Sequence, residues 1–174
     1  MTSTHFFITG TDTEVGKTFI SVGLVSLLQQ QGYKTVGMKP IASGCEWLDG
    51  QWKNEDALAL IKQSQTDLAY SLINPYAFEP AIAPHIAAER EGVTLSIANI
   101  KSNYELLAEQ ADAVIVEGAG GWYVPLNAES TMADLAVELQ LPVILVVAIK
   151  LGCINHALLT VAAIAQQGLK LAGW

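Results

Sequence analysis

The sequence has few basic residues and no long hydrophobic run, and each shortage excludes a class of protein. Lys and Arg total nine residues against 17 Asp and Glu, and the formal net charge is −8. Non-specific binding to nucleic acids or anionic membranes requires clustered basic residues, so this charge excludes it. The longest apolar run, Val143 to Ile149, is far shorter than the roughly 20 residues of a membrane-spanning helix.

Cysteine is equally scarce, and Cys45 and Cys153 are far apart in the chain. There is no Cys-x-x-Cys pair and no histidine at zinc-finger spacing, so a zinc site is not indicated. The first residues lead straight into an apolar run, without the charged and long apolar regions of a signal peptide. We therefore expect a reduced, cytoplasmic protein that binds neither membranes nor nucleic acid.

Apolar runs alternate with helical patterns along the chain, which is typical of βαβ units around a parallel sheet. The predicted strands are Phe6–Thr9, Thr35–Lys39, Ala113–Glu117, Val143–Ile149 and Leu169–Gly173. The predicted helices are about Thr18–Gln31, Glu55–Lys62, Ile97–Gln110, Met132–Gln140 and Asn155–Gln166. Residues 42–54 are predicted to form a loop and residues 72–84 an irregular segment. We expect a single doubly wound α/β domain over residues 1–174, with a mostly parallel sheet.

The segment from Gly10 to Thr18, Gly-Thr-Asp-Thr-Glu-Val-Gly-Lys-Thr, carries the strongest signal of a functional site. It follows a predicted strand and opens a predicted helix, which is the order of elements in a phosphate-binding loop. In such a loop backbone N–H groups bind the anion, Lys17 reaches the terminal phosphates and the Thr18 hydroxyl binds magnesium. Five residues separate Gly10 from Gly16, one more than in the general motif, which indicates a particular branch of the phosphate-loop proteins.

Charged residues also end other predicted strands, at the edge of a parallel sheet where ligands bind. Glu117 precedes a Gly-rich turn and is suited to hold magnesium, while Lys39 and Lys150 end two further strands. With the phosphate loop they form a set suited to phosphoryl transfer, which depends on positioning and charge stabilisation. Asp56 lies at a predicted helix start, where spacing alone favours an ordinary first-turn carboxylate.

Together these motifs resemble the dethiobiotin synthetase family of phosphate-loop proteins, which are ATP-dependent cyclo-ligases of biotin synthesis. The resemblance rests on residues 9–18, 39–44, 54–58, 116–121 and 150–156, in family order through nearly the whole chain. The five-residue spacing in the phosphate loop matches the family. The resemblance implies a homodimer that joins diaminopelargonic acid with carbon dioxide, using MgATP and releasing ADP and phosphate. The family's reaction passes through a carbamate and a carbamic–phosphoric anhydride before the ring closes.

The same resemblance implies roles for individual residues. The implied catalytic residues are Lys39, Lys17 and Lys150, and the implied magnesium ligands are Thr18, Asp56 and Glu117. The implied nucleotide-binding residues are Glu14, Val15, Gly16, Lys17, Thr18, Phe19 and Asp56. Substrate contacts are implied for Ser43, Thr13 and Gly120. Gly152, Cys153, Ile154 and Asn155 match a turn that holds the substrate carboxylate across the dimer interface, which agrees with anion binding at a helix N-terminus.

Members of this family continue beyond the position of Trp174 and carry their adenine-recognising loops there. We therefore expect the chain to be shortened at its C-terminus and to lack the adenine pocket. The phosphate, magnesium and substrate sites are expected within the 174 residues.

Two other functions are compatible with a phosphate loop. A nucleotide-dependent switch of the partition or septum-positioning type has a lysine early in the loop, where this chain has Asp12. A small-molecule kinase would leave a stable phosphorylated product, whereas the ligase releases free phosphate. The sequence leaves the roles of His85 and His156 open, and Trp122 fits either a pocket wall or core packing.

Overall fold

A computed structural model describes residues 4–174, within which there are nine strands and seven helices. The strands are β1 (Phe6–Gly10), β2 (Thr35–Met38), β3 (Ile41–Ser43), β4 (Glu46–Leu48), β5 (Gln51–Lys53), β6 (Tyr76–Phe78), β7 (Ala113–Gly121), β8 (Val143–Val146) and β9 (Leu171–Gly173). The helices are α1 (Lys17–Gln30), α2 (Glu55–Ser64), α3 (Tyr70–Ile73), α4 (Pro84–Arg90), α5 (Ile97–Ala108), α6 (Met132–Leu139) and α7 (Cys153–Gln166).

The central sheet has five parallel strands in the order β2-β7-β1-β8-β9. The chain runs from β1 outward to β2 on one side, then continues through β7 to β8 and β9 on the other. The phosphate loop follows β1 and so leaves the sheet at its centre, where the winding direction reverses. Ligands of open α/β sheets bind at this point. The doubly wound α/β fold expected from the sequence is confirmed.

Helices cover both faces of the sheet. On one face α1 and α2 pack together against β1, β2 and β7. On the other face α5, α6 and α7 contribute buried residues such as Leu107, Leu135 and Ile164 to the larger core. Because both faces are covered, the central strands are continuous apolar runs rather than alternating ones. Across residues 4–174, none of the helices combines the length and apolar character that a membrane span requires.

Two predicted boundaries were wrong by several residues. The strand predicted as Val143–Ile149 ends at Val146, whose carbonyl accepts the Thr11 N–H at 3.1 Å as the chain leaves the sheet. The strand predicted to end at Glu117 continues to Gly121, since the Gly-rich segment pairs with β1 as far as Gly10. The sheet therefore carries the Gly-rich segment itself alongside the phosphate loop.

The prediction of a loop over residues 42–54 was wrong, because this stretch contains an antiparallel hairpin of β4 and β5. Its turn is Asp49-Gly50, with φ of 52° and 80°. A two-residue hairpin turn of this kind requires positive φ at both central positions, and Asp-Gly is a preferred pair. The sequence thus held a hairpin signal that the prediction did not use. Residues 72–84, predicted to be irregular, contain β6, which pairs in parallel with β3.

Gly37 allows α2 to approach β2 closely, and this approach brings the start of α2 to the sheet edge. A Cβ at Gly37 would lie 2.7 Å from Leu60 Cδ2 and 2.9 Å from Leu60 Cβ. We expect Gly37→Ala to lower the free energy of unfolding by about 1–3 kcal/mol, because α2 must move outward. Urea denaturation measures this change.

Gly23→Ala is the matched control for this substitution. Gly23 lies within α1, and a Cβ there meets nothing within 4 Å among the described residues. Alanine in a helix interior is favoured over glycine by up to about 1 kcal/mol, so this variant should unfold at higher urea. If Gly37→Ala were as stable as wild type, close packing of α2 on β2 would not be the constraint.

Candidate active site

The phosphate loop, residues 10–17, folds back tightly between the end of β1 and the start of α1. Gly16 is the N-cap of α1 and has φ 96°, a left-handed conformation that glycine adopts without strain. A Cβ at Gly10 would lie 2.6 Å from Val15 Cγ2, so the loop folds back on the end of β1. Lys17 is buried and its Nζ donates to the Asp12 carbonyl at 3.0 Å. The lysine is therefore held along the inner surface of the loop.

A compact cluster of charges lies beside the loop, with Lys39 at its centre. Lys39 Nζ is 2.6 Å from Glu117 Oε1 and 2.8 Å from Asp56 Oδ2. The Thr18 hydroxyl donates to the same Glu117 oxygen at 2.8 Å. Glu117 is 0% exposed, and its second oxygen, Oε2, has no hydrogen-bond partner among the described residues. The cluster thus keeps one buried carboxylate oxygen without a donor.

The pKa shifts in this cluster follow from burial and charge. Burial lowers the pKa of Lys39, but Glu117 and Asp56 outweigh it and hold that pKa above its ordinary value. Burial raises the pKa of Asp56, but Lys39 outweighs it and the pKa of Asp56 is lowered. Burial, followed by the charge of Lys39, lowers the pKa of Lys17. Lys39 is therefore a fixed cation at neutral pH, suited to stabilising negative charge rather than accepting a proton.

Four elements position this cluster from different parts of the chain. Lys39 follows β2, Glu117 lies in β7 and Thr18 lies in the first turn of α1. Asp56 lies in the first turn of α2, where the Asn54 side chain caps the helix by accepting from the Asp56 N–H at 3.0 Å. The spacing alone favoured an ordinary first-turn carboxylate for Asp56, whereas packing of α2 on β2 brings it against Lys39.

A cavity of about 830 Å³ opens in front of the cluster. Its lining includes ten of the predicted site residues, which are Thr13, Glu14, Gly16, Lys17, Thr18, Lys39, Ser43, Asp56, Glu117 and Gly120. It also includes apolar residues, among them Ala81, Ile82, Pro84 and Val124. Ser43 Oγ is buried there and has no partner among the described residues. The cavity therefore combines a phosphate-binding wall with a surface suited to an aliphatic chain.

The remaining predicted site residues do not line this cavity. Val15 is buried in the smaller core with Ile8 and Val25. Phe19 lies on α1 and is 82% exposed. Lys150 contacts the loop at Asp12, with 3.2 Å between Lys150 Nζ and Asp12 Oδ2, and both side chains are about half exposed.

The turn from Gly152 to Asn155 also lies outside the cavity of the single chain. Gly152 has φ 93° and is the N-cap of α7, so the helix begins at Cys153 rather than at the predicted Asn155. Leu151, Ile154 and Leu158 in and after this turn are strongly exposed. The turn therefore presents a helix N-terminus within an apolar surface.

Sequence reasoning missed several residues that support the site. Asp12 joins the loop to the turn after β8, and its pKa is lowered first by the Thr13 N–H and then by Lys150. Tyr70 and Asn74 hydrogen-bond behind Lys39 and Asn54, and no pattern in the sequence marks them. Trp122, which fitted either a pocket or the core, is buried with its ring edge-to-face against Phe7 at 6.4 Å. Packing therefore accounts for Trp122.

Comparison with known proteins adds an independent line of evidence. The family model described as an AAA domain matches residues 4–174. An ATP-dependent dethiobiotin synthetase from Xylella fastidiosa (strain Temecula1) is 51% identical over 174 residues, which are 100% of this chain and 77% of that protein. The Pseudomonas aeruginosa (strain UCBPP-PA14) protein of the same name is 55% identical over 170 residues, 97% of this chain and 75% of that protein.

Solved structures resemble the chain in fold. The kinase domain of the Escherichia coli tyrosine kinase ETK superposes with a TM-score of 0.60 at 16% identity, covering 98% of this chain and 66% of that one. The BceF tyrosine kinase domain gives a TM-score of 0.57 at 15% identity, with the same coverage. At these identities the likeness extends to the architecture of the sheet and helices alone.

Proposed function

The chain belongs to the family of ATP-dependent dethiobiotin synthetases, and from this premise we propose the reaction that its site performs. It joins diaminopelargonic acid with carbon dioxide at the expense of ATP, closing the ureido ring of dethiobiotin in biotin biosynthesis. ADP and phosphate are the other products. The observation that supports this most directly is Lys39, buried between two carboxylates beside both the phosphate loop and the apolar cavity wall.

The chemistry proceeds in three steps. One amine of the substrate attacks carbon dioxide and loses a proton, giving a carbamate. A carbamate oxygen attacks the γ-phosphorus of ATP, ADP leaves and a carbamic–phosphoric anhydride forms. The second amine attacks the anhydride carbonyl, the ring closes and phosphate leaves. We propose Lys17, Lys39 and Lys150 as the catalytic residues, which stabilise the charge that develops on the transferred phosphoryl group.

We propose that Thr18, Asp56 and Glu117 hold magnesium. Their hydroxyl and carboxylate oxygens are the hard donors that this ion prefers, and the buried Glu117 Oε2 has no other partner among residues 4–174. Lys39 lies between both carboxylates, so the ion and the ammonium would share the negative charge of the same two side chains. Magnesium bound there would neutralise charge on the β- and γ-phosphates.

The nucleotide and the substrate approach the cluster from different sides in this proposal. Residues 14–19 bind the phosphates, with the N-terminus of α1 facing them, and Asp56 contacts the nucleotide through the proposed magnesium ion. Thr13, Ser43 and Gly120 contact the diamine end of the substrate, and its aliphatic chain lies along the apolar wall. The buried Ser43 hydroxyl, which has no partner among the described residues, supports a polar ligand at that position.

We further propose a homodimeric cytoplasmic enzyme whose residues 1–174 form one ATP-binding domain. In the dimer the turn from Gly152 to Asn155 of one subunit binds the substrate carboxylate in the site of the other. Two features support this: the turn begins a helix whose N–H groups attract anions, and exposed Leu151 and Ile154 would be buried by a second subunit.

Phosphate release tests the proposed function. We expect the purified protein to release phosphate from ATP only when diaminopelargonic acid, bicarbonate and magnesium are all present, because the attacking oxygen belongs to the carbamate. A coupled phosphate assay with one component omitted at a time measures this dependence. Phosphate release without the diamine would contradict the ligase, and a stable phosphorylated product in the mass spectrum would identify a kinase instead.

A further inference from the structure

A chain of hydrogen bonds behind the cavity connects the residues of the charge cluster through their backbone. Asn74 Nδ2 donates to the Lys39 carbonyl at 2.7 Å. The Tyr70 hydroxyl donates to Asn74 Oδ1 at 2.7 Å and accepts the Asn54 N–H at 2.8 Å. We call this series of contacts the Asn54–Tyr70–Asn74 chain. It runs from the end of β2, through α3, to the start of α2.

Each end of this chain is tied to more than one residue of the site. At one end Asn54 Oδ1 accepts from the Asp56 N–H at 3.0 Å, and Asn54 Nδ2 donates to the Ser43 carbonyl at 3.4 Å. At the other end the Lys39 N–H donates to the Ile73 carbonyl at 3.0 Å, next to Asn74. The chain therefore holds Lys39, Ser43 and Asp56 at fixed separations, although these residues belong to different elements.

Burial makes the Asn54–Tyr70–Asn74 chain stiff. Asn54 is 5% exposed and Asn74 is 2% exposed, so their polar atoms depend on these partners rather than on water. Burial raises the pKa of Tyr70 to about 12, so its hydroxyl stays protonated at neutral pH and donates and accepts at once. Of the chain's three members only Asn54 lines the cavity, within the described residues. Tyr70 and Asn74 act from behind it.

We propose that Asn54, Tyr70 and Asn74 are positioning residues, which set the placement of the Lys39 ammonium relative to the Asp56 carboxylate and Ser43. This inference rests on the proposed function, since it assigns these residues to the same reaction. Phosphoryl transfer depends on geometry, so a small displacement of Lys39 lowers turnover without removing any group that touches the reactants. A role in stability alone would lower the melting temperature and leave turnover of the folded protein unchanged.

Tyr70→Phe tests the proposal, because it removes only the hydroxyl that joins the two asparagines. We expect kcat to fall about tenfold or more, as when groups that orient metal ligands are removed, while KM for ATP stays unchanged. Steady-state dethiobiotin formation by the full-length protein gives both constants, and circular dichroism gives the melting temperature. Wild-type kcat in this variant would overturn the proposal.

Tyr104→Phe is the matched control. Tyr104 is a half-buried tyrosine of α5 that does not line the cavity, and its hydroxyl lies 3.1 Å from His5 Nδ1. Tyr104→Phe should lower the melting temperature about as much as Tyr70→Phe does and leave kcat at the wild-type value. An equal loss of kcat in both variants would overturn the proposal, since it would reflect general destabilisation.

Two substitutions of Asn54 provide a second test of the positioning role if Tyr70→Phe does not fold. Asn54→Ser retains a side-chain oxygen for the Asp56 N–H, whereas Asn54→Ala does not, and serine caps helices as well as asparagine does. We expect the serine variant to keep most of the wild-type kcat and the alanine variant to lose about tenfold. Wild-type rates in both variants would overturn the proposal. If the wild-type protein itself formed no dethiobiotin, the proposed function would be refuted instead.

Discussion

Replacing Lys39 by methionine is expected to reduce kcat by about 10²–10³-fold while the protein still folds, because the substitution removes a fixed, desolvated charge from the proposed phosphoryl-transfer site. Methionine retains most of the apolar volume of the lysine side chain. The raised pKa keeps Lys39 charged throughout the neutral range, so the loss should be independent of pH between about pH 6 and 9. Single-turnover phosphate release at saturating ATP measures it.

Lys101→Met is the control for this prediction. Lys101 forms an ion pair of similar length, 2.7 Å to Glu138 Oε1, but both side chains are exposed. Exposed pairs contribute little, so kcat and melting temperature should stay near wild type. Removing a catalytic charge typically lowers kcat by about 10²–10³-fold. If Lys39→Met retained more than about a tenth of wild-type turnover, Lys39 would be misassigned.

Lys39→Met also gives a stability readout that does not depend on catalysis. Removing the lysine leaves Glu117 and Asp56 without their ion-pair partner, and breaking a buried pair costs about 3–5 kcal/mol. If magnesium binds the same two carboxylates, it should raise the melting temperature of this variant more than that of wild type. An identical effect of magnesium on both proteins would contradict the shared site.

Glu117→Gln is the second substitution with a large expected effect. The amide keeps the shape of the side chain but loses the charge that Lys39 and Thr18 now share. We expect magnesium affinity to fall about 10- to 100-fold and kcat to fall with it, because a neutral oxygen is a poor magnesium ligand. Calorimetric titration of magnesium, in the presence of a non-hydrolysable ATP analogue, measures affinity separately from turnover.

Glu138→Gln provides the comparison for that measurement. Glu138 accepts from Lys101 on the surface of α6, away from the cavity, so its substitution should change neither magnesium affinity nor kcat. Unchanged magnesium affinity in Glu117→Gln would mean that the ion is held without this carboxylate. The metal assignment would then be limited to Thr18, Asp56 and the phosphates.

The parts of the site that the sequence predicted are those encoded locally. The phosphate loop is one continuous segment between a strand and a helix, and its glycines, Lys17 and Thr18 are recognisable without the rest of the chain. Glu117 and Lys39 were predictable because parallel strands bring their carboxyl ends to one edge. The structure places both side chains at that edge, with 2.6 Å between Lys39 Nζ and Glu117 Oε1.

The parts that the sequence did not predict depend on contacts between distant segments. Spacing alone did not assign Asp56 to the site, although the family resemblance did, because its place depends on close packing of α2 over Gly37. Tyr70 and Asn74 lie on or beside the four-residue helix α3, too short to show a periodic pattern. The apolar cavity wall at residues 81–84 lies in a stretch without a strong helix or strand signal, so its position follows only from the fold.

The hairpin of β4 and β5 has a consequence for how this protein tolerates change. It leaves the site after Ser43 and returns at Asn54, and the Asn54 amide ties the two ends together at its base. Trp47, in the middle of β4, is 60% exposed and lies edge-to-face with Trp52 on β5. Since the base is pinned, changes in hairpin length add little closure entropy and do not reach Ser43 or Asp56. The hairpin is therefore a position at which new sequence can be inserted close to the site without displacing Ser43 or Asp56.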